Sequence, residues 1–273
     1  MKSVLIVGYG VVGRNFAKEI SVLHPDIYDK FKTEFNTKQD KVYDFAFICV
    51  DTPYVSEENP CDISQIINAI KENEAENYVI KSTILPGFLE SIIEKFNFEK
   101  RIIVSPEFYG GTQHCNNFNF PFTILGGDKY VCHATQQLLQ EVYDARHSFF
   151  VCDSYEAMLA KYSENCLLYA KVVTCMQIRE ICNAYNVDYD KVRELFGQDE
   201  RIGKTHTYIY DEHPFVDSHC LNKDPKALVN RAKVNKADTS FFEAMLEFNA
   251  RMRTNFEAKI CEEEKAVPEI EEN

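Results

Sequence analysis

A glycine-rich turn near the amino terminus constrains the fold more than any other feature of the sequence. The apolar run at residues 4–7 leads into Gly8-Tyr9-Gly10-Val11-Val12-Gly13, and a helix-like stretch follows. In this pattern the first glycine makes a tight turn, the second leaves room for a pyrophosphate, and the third lets the helix pack on the strand. The spacing predicts a βαβ dinucleotide-binding unit; a glycine-rich turn in some other α/β protein is the alternative.

An acidic residue at the expected distance supports the dinucleotide interpretation. Asp29 lies twenty-one residues after Gly8, just beyond the short segment Ile27-Tyr28. A carboxylate there can accept hydrogen bonds from an adenosine ribose with a free 2′-hydroxyl, which favours NAD over NADP. The neighbouring Lys30 and Lys32 weaken that preference.

Further apolar runs predict a parallel sheet. They are continuous rather than alternating, as in strands buried on both faces, and they lie at residues 45–50, 78–80, 102–104 and 122–125. Between them, residues 63–72 and 88–96 carry apolar side chains at helical spacing. We expect an α/β Rossmann-type domain, a doubly wound parallel sheet, over residues 1–152.

The pattern changes at Ser154 to one long helical stretch. Residues 155–186 contain no glycine or proline and are apolar on more than one face, and such a helix would span about 50 Å. A helix of that length often connects domains or forms a dimer interface. A short helix is expected at 189–196, a long loop at 197–222 and another helix at 238–261. We therefore expect a mostly helical second domain over 153–261 and an acidic tail over 262–273.

Composition and charge exclude several classes of protein. The formal net charge is −13, and without a basic patch such a surface repels nucleic acid. No run of about 18 apolar residues and no signal-peptide pattern occurs, so neither a membrane span nor secretion is predicted. The ten cysteines are scattered without a Cys-x-x-Cys pair, as expected for buried thiols in the cytoplasm.

Six further motifs follow one another in a recognisable order. They are Val50-Asp51-Thr52-Pro53, Lys81-Ser82-Thr83-Ile84-Leu85-Pro86-Gly87, Ser105-Pro106-Glu107-Phe108, the pair Lys161 and Asn165, Asp199-Glu200-Arg201-Ile202-Gly203, and His219-Cys220-Leu221-Asn222-Lys223-Asp224-Pro225. In this order the set resembles the UDP-glucose and GDP-mannose dehydrogenase family over residues 2–235. The set is much more specific than any one motif alone.

The resemblance implies a four-electron oxidation of a nucleotide-sugar alcohol, UDP-glucose-like, to a carboxylate. Two NAD molecules are used in turn, and Cys220 holds the intermediate as a thiohemiacetal and then a thioester. Lys161 and Asn165, four residues apart on one helix face, stabilise negative charge on the substrate oxygen, and Lys161 is the cation expected to favour the Cys220 thiolate. Thr83, Glu107 and Asp224 place water and carry protons during thioester hydrolysis.

The same resemblance implies further binding residues, and the long helix predicts a homodimer, because its apolar residues cover more of its circumference than one small domain can bury. The residues expected to bind NAD are Gly8, Gly10, Val11, Val12, Gly13, Asp29, Val50, Thr52, Pro53 and Thr83. The residues expected at the nucleotide sugar are Phe108, Arg201 and Lys223. Arg201 resembles a family arginine that reaches the substrate of the neighbouring subunit. No metal is expected.

The sequence departs from the family in several places. We expect a short form that lacks the third domain, which in the family binds the nucleotide of the sugar nucleotide. Residues 214–219, just before Cys220, replace a glycine-rich loop with larger side chains. The connection at 30–45 is short, and Gly111 stands where a second glutamate is usual. The motif around Cys220 mixes features of two subfamilies, so it does not identify the sugar.

Four alternatives remain open at this point. Residues Glu107, Lys161, Asn165 and Cys220 could be ordinary structural side chains, and His213, His219, Cys220 and Asp224 could form a metal cluster of uncommon spacing. The whole chain could be a catalytically lapsed NAD-binding protein used for interaction. It could also be a two-electron hydroxyacid dehydrogenase, which would share the helix pair but would not need Cys220.

Overall fold

The computed structural model describes residues 2–97, 101–109 and 120–266. The chain divides into two compact units, Met1–Ser163 and Glu164–Asn273. The division falls inside a long helix, whereas the sequence placed the domain boundary at residue 152. The difference arises because the first turns of that helix, at Ala157 and Met158, pack into the core of the first unit.

The first unit contains one seven-stranded sheet in the order β2-β1-β3-β4-β5-β6-β7. Its strands are β1 (Val4–Val7), β2 (Asp26–Tyr28), β3 (Tyr43–Ile48), β4 (Ala75–Ile80), β5 (Ile102–Val104), β6 (Phe122–Gly127) and β7 (Ser148–Cys152). All neighbours are parallel except β5 and β6, which are antiparallel. The sequence predicted only parallel pairing, because a buried apolar run carries no information about strand direction.

Helices cover both faces of this sheet. They are α1 (Val11–Glu19), α2 (Ser64–Glu72), α3 (Phe88–Phe96) and α4 (Lys129–Gln140), with a 3-10 turn at Ser21–Leu23. One core lies between the sheet and α2, α3 and the start of the long helix; it includes Ile66, Leu89 and Ile92. The other lies beneath α1 and α4 and includes Phe16 and Val131. The doubly wound Rossmann-type arrangement is therefore confirmed.

The second unit is helical. Its elements are the remainder of α5 (Ser154–Ala184), α6 (Tyr189–Phe196), α7 (His219–Val234) and α8 (Ser240–Ala266). Its core joins α5 to α8 and to the segment before α7 through Tyr169, Val173, Met176, Val216 and Met245. No helix among the described residues is long and apolar enough to span a membrane.

Two boundaries in this unit differ from the sequence prediction. The loop expected through Asn222 ends at Ser218, since α7 begins at His219 and continues through Pro225. Proline normally disfavours a helix interior, which is why α7 was not predicted. Helix α8 extends to Ala266, so part of the expected acidic tail is helical; residues 267–273 lie outside the described part of the chain.

Candidate functional site

The turn between β1 and α1 is shaped by three glycines. Gly8 has a φ of 92°, and a β-carbon there would lie 2.7 Å from the Cys49 carbonyl oxygen. A β-carbon on Gly13 would lie 2.0 Å from the Gly8 oxygen, whereas one on Gly10 would meet nothing within 4 Å. Gly8 and Gly13 therefore permit close packing, while Gly10 opens space at the amino end of α1.

A cavity of about 250 Å³ adjoins this turn at the carboxyl ends of β1, β2 and β3. Its lining includes Val7, Tyr28, Asp29, Val50 and Asp51. Apolar walls, a carboxylate at the end of β2 and a helix amino end are the features that a dinucleotide requires at the edge of a parallel sheet. The cavity therefore fits the adenosine and pyrophosphate of NAD.

Asp29 occupies the position that the sequence assigned to the ribose ligand. It is 9% exposed, and its Oδ2 accepts the Tyr9 backbone N–H at 2.8 Å while Oδ1 accepts that of Phe31 at 2.9 Å. Each carboxylate oxygen has a second lone pair, so both can still accept a ribose hydroxyl. Asp29 thus also fixes the glycine turn against the end of β2.

The segments that follow β3 and β4 are joined by hydrogen bonds beside the cavity. The Thr52 hydroxyl donates to the Thr83 carbonyl at 2.7 Å, and the Ser82 hydroxyl donates to the Val50 carbonyl at 2.6 Å. The Pro53 carbonyl accepts the N–H of Asp62 at 2.9 Å. The predicted positions Val50, Thr52, Pro53 and Thr83 therefore belong to one hydrogen-bonded edge of the first unit.

Phe108 and Lys161 are brought together in the first unit. The Lys161 Nζ lies 4.9 Å from the centroid of the Phe108 ring, and that ring also contacts Phe122, with centroids 5.1 Å apart. Lys161 is only 4% exposed, so its ammonium is buried, close to the segment that carries Glu107.

The second unit contains a buried polar group on α5 and α7. The Asn165 Nδ2 donates to Asp224 Oδ2 at 2.6 Å, and the Lys223 Nζ donates to Asp224 Oδ1 at 2.7 Å. Asp224 is 1% exposed, and a buried carboxylate requires such partners. Cys220 lies one turn before Asp224, in the first turn of α7, and is exposed.

Arg201 is not part of this group. Its guanidinium donates to the carboxylate of Asp199, with the closest contact at 2.6 Å, and its side chain is 88% exposed. Gly111, the position of the missing glutamate, lies outside the described residues. Within the described ranges, no group of three or more His, Cys, Asp or Glu side chains could hold a metal ion.

The sequence did not identify several residues that lie near Glu107 as candidate site residues. Lys81 is buried, which lowers the pKa of its ammonium, and its Nζ lies 4.5 Å from the Phe16 ring centroid. Tyr109 follows the Glu107 motif, and burial near the Glu19 carboxylate raises the pKa of its hydroxyl. A lysine directly after the buried strand β4 was a signal in the sequence; the burial of Tyr109 near Glu19 left none.

Comparison with known proteins places both units in one family. Residues 26–147 match the NAD binding domain of the UDP-glucose/GDP-mannose dehydrogenase family, and residues 155–251 match its central domain. Together these ranges cover most of the chain. NAD is therefore the cofactor of the first domain.

A curated relative shows how far the similarity extends. The UDP-glucose 6-dehydrogenase of Campylobacter jejuni is 29% identical over 262 residues, which cover 93% of this chain and 63% of that protein. This chain spans about half the length of two further UDP-glucose 6-dehydrogenases that it matches, from Bacillus subtilis and Pseudomonas aeruginosa.

Solved structures show the same fold. A UDP-D-ManNAc dehydrogenase from Pyrococcus horikoshii superposes with a TM-score of 0.76 at 21% identity, covering 97% of this chain and 72% of that one. A 3-hydroxyisobutyrate dehydrogenase from Mycobacterium tuberculosis gives a TM-score of 0.67 at 11% identity, covering 94% of this chain and 95% of that one. At these identities the likeness concerns the fold alone.

Proposed function

This chain belongs to the UDP-glucose/GDP-mannose dehydrogenase family, and we propose that it oxidises the C6 alcohol of a nucleotide sugar, UDP-glucose or a close relative, to a carboxylate with NAD. The observation that carries the proposal is the arrangement on α7. An exposed thiol, Cys220, stands one turn before a buried carboxylate, Asp224, that is held by Asn165 and Lys223. An ordinary structural cysteine would be buried, as most of the other described thiols are.

The proposed chemistry gives each residue a defined task. NAD, when bound, supplies the hydride acceptor for both oxidations. After the alcohol has become an aldehyde, the Cys220 sulfur adds to its carbonyl carbon, and the resulting thiohemiacetal can lose a second hydride to become a thioester. Water then attacks the thioester, the carbon–sulfur bond breaks, and the carboxylate leaves while the thiol is restored.

The remaining residues stabilise charge and move protons in this proposal. Lys161 and Asn165 donate hydrogen bonds to the substrate oxygen as negative charge develops on it. Glu107 and Asp224, with the Thr83 hydroxyl, orient the attacking water and accept its proton. Phe108, Lys223 and Arg201 are assigned to the nucleotide sugar, and Arg201 acts in this way only if a second subunit presents it.

The stoichiometry of NADH tests the proposal directly. We expect two NADH per sugar with at least one member of a panel of UDP- and GDP-sugars, and no NADH from Cys220→Ser beyond the first oxidation. One NADH per substrate molecule from both the wild type and Cys220→Ser would indicate a two-electron dehydrogenase. Tight NAD binding without any NADH would indicate a protein that binds the cofactor but has lost catalysis.

One observation favours that last alternative. The segment before Cys220 is fixed by α8, because the Val216 N–H donates to Asn249 Oδ1 at 2.7 Å and the Asn249 Nδ2 donates to the Val216 carbonyl at 3.1 Å. Val216 is buried. A segment held so firmly, with side chains in place of the family's glycines, restricts close approach of a substrate.

We also propose that the protein is a cytoplasmic homodimer. The nine described cysteines are all free thiols, which suits a reducing compartment. Helix α5 exposes a series of large apolar side chains that a second copy could cover, namely Leu159, Leu167 and Ile181.

A further inference from the structure

The short connection after β2 begins with a closed turn over residues 29–35. The Asp29 N–H donates to the Phe35 carbonyl at 2.9 Å, and the Lys32 N–H donates to the Asp29 carbonyl at 3.1 Å. The Phe31 N–H donates to Asp29 Oδ1 at 2.9 Å. Because these bonds join the two ends of the turn and its middle, the backbone that carries Phe31 has a defined conformation.

This closed turn is also attached to the glycine-rich turn between β1 and α1. The Tyr9 N–H donates to Asp29 Oδ2 at 2.8 Å, and the Tyr9 ring packs edge-on against the Phe35 ring with centroids 4.6 Å apart. Phe35 is half-buried, as is common for a large apolar side chain. Residues 29–35 are therefore held beside the cavity that fits the adenosine and pyrophosphate of NAD.

Phe31, in contrast to Phe35, exposes its ring at this cavity. It is 75% exposed, and both Phe31 and Lys30 belong to the cavity lining. The Lys30 ammonium lies over one face of the ring, 5.2 Å from its centroid, and the high exposure shows that the ring is otherwise largely uncovered. An uncovered phenyl ring is unfavourable in water, so a ligand that covers it gains affinity.

The rest of the lining suits a flat aromatic base. Val50 and Ala69 contribute apolar atoms, and Tyr28 contributes a second aromatic side chain. Asp29, the expected ribose acceptor, lines the same cavity, and in NAD the adenine is bonded directly to that ribose. A base joined to a ribose at Asp29 is therefore within reach of the Phe31 ring.

We propose that Phe31 binds the adenine of NAD by stacking its ring on the base. Bases stack readily on aromatic side chains, because both have flat π faces and both lose contact with water on association. The other end of the cofactor, the nicotinamide, offers no alternative partner here if the adenosine occupies this cavity. The proposal concerns cofactor binding alone, so it does not depend on the identity of the sugar or on Cys220.

Phe31→Ala tests the proposal by binding alone. We expect Kd for NAD and for ADP-ribose to rise about tenfold, because both ligands contain adenine and the substitution removes the ring. Phe31→Tyr keeps an aromatic face and should hold Kd within about twofold of the wild type. Calorimetric titration measures these values. Unchanged affinity of Phe31→Ala for ADP-ribose, or no ADP-ribose binding by the wild type, would overturn the proposal.

Tyr130→Ala is the matched control. Tyr130 is another exposed aromatic residue of the first unit; it lies on α4, is 76% exposed and is not part of the cavity lining. We expect its Kd for ADP-ribose to stay within about twofold of the wild type. An equal loss of affinity in Tyr130→Ala and Phe31→Ala would reflect the stability of the unit rather than a contact with adenine, and the proposal would be wrong.

A fluorescent substitution reports contact with the base directly. The sequence contains no tryptophan, so Phe31→Trp carries the only indole of that variant. Stacked adenine should quench the indole emission, and the quench should saturate with the Kd that calorimetry gives for ADP-ribose. ADP-ribose is the probe because it lacks nicotinamide, which also quenches indole. Tyr130→Trp should show no saturable quench, and ADP-ribose binding without a change in Phe31→Trp emission would contradict the assignment.

Discussion

Cys220 and Cys261 differ from the other described thiols in their exposure, and from each other in their place on a helix. Only Cys220 and Cys261 are exposed among the nine that the structure describes. Cys220 lies in the first turn of α7 and Cys261 near the carboxyl end of α8. The amino end of a helix favours negative charge and the carboxyl end disfavours it. The two residues therefore form a natural comparison for thiolate reactivity.

We predict that iodoacetamide modifies Cys220 about ten times faster than Cys261 at neutral pH, because a thiolate in the first turn of a helix is stabilised. Peptide mass mapping at short reaction times measures both rates in one sample. Buried thiols such as Cys49, whose pKa burial raises to about 12, should react only after unfolding. Equal rates at Cys220 and Cys261 would remove the main support for a catalytic thiol.

We propose that Asp29 binds the adenosine ribose as well as fixing the glycine turn, and substitution should reveal both roles. Because Asp29→Ala would remove the proposed ribose acceptor, we expect Kd for NAD to rise about ten- to hundredfold, and Kd for NADP to rise less. It also removes the acceptor of two backbone N–H groups, which should lower the melting temperature. Calorimetric titration with both cofactors measures the first effect. Asp40→Ala, at an exposed acid in the β2–β3 connection, is the control, and equal losses for NAD and NADP would show that Asp29 is not the ribose ligand.

At the scale of elements, the glycines of the β1–α1 turn have different roles. Gly13 permits close packing, and Gly10 is expected to leave space for NAD. Gly13→Ala would place a methyl group 2.0 Å from the Gly8 oxygen, and we expect it to cost about 3 kcal/mol of stability. Gly10→Ala meets nothing within 4 Å, so its melting temperature should stay near that of the wild type. Its methyl group enters the space for the pyrophosphate, so Kd for NAD should rise about tenfold. Thermal unfolding and calorimetry distinguish the two variants; normal NAD affinity in Gly10→Ala would contradict this assignment.

Sequence patterns predicted the elements whose signals are local. Helix α6 has the predicted bounds, because Asp188 and Gly197 flank a short periodic run. Helix α7 was missed, because Pro225 lies inside it and its first turns are polar. Strand β7 was missed as well; it lies at the edge of the sheet and is partly exposed, so it lacks a continuous buried pattern.

In the candidate site, too, local sequence patterns predicted only the local arrangement of residues. Spacing on one helix placed Lys161 and Asn165 on a common face, which helical geometry alone determines. The bond between Asn165 and Asp224 joins residues 59 positions apart, and the bond between the Thr52 hydroxyl and the Thr83 carbonyl joins residues 31 positions apart. Such contacts depend on how elements pack, which no local period encodes.

At the scale of the whole molecule, helix α5 exposes large apolar side chains to solvent. It has 31 residues, and Leu159, Leu167 and Ile181 are 44%, 69% and 50% exposed. Exposing such side chains to water costs about 1.5 to 3 kcal/mol each relative to burying them. A second copy of the chain that packs along α5 would recover much of that free energy.

We therefore predict that light scattering at micromolar concentration gives twice the chain mass of 31.6 kDa. Leu167→Glu should produce a monomer, because a carboxylate buried in an apolar interface lacks a partner. Leu195→Glu is the matched control: Leu195 lies on α6 and is 75% exposed, so this variant should remain a dimer. A monomeric wild type would show the dimer prediction to be wrong, and dissociation of Leu195→Glu alone would place the interface on α6 instead of α5.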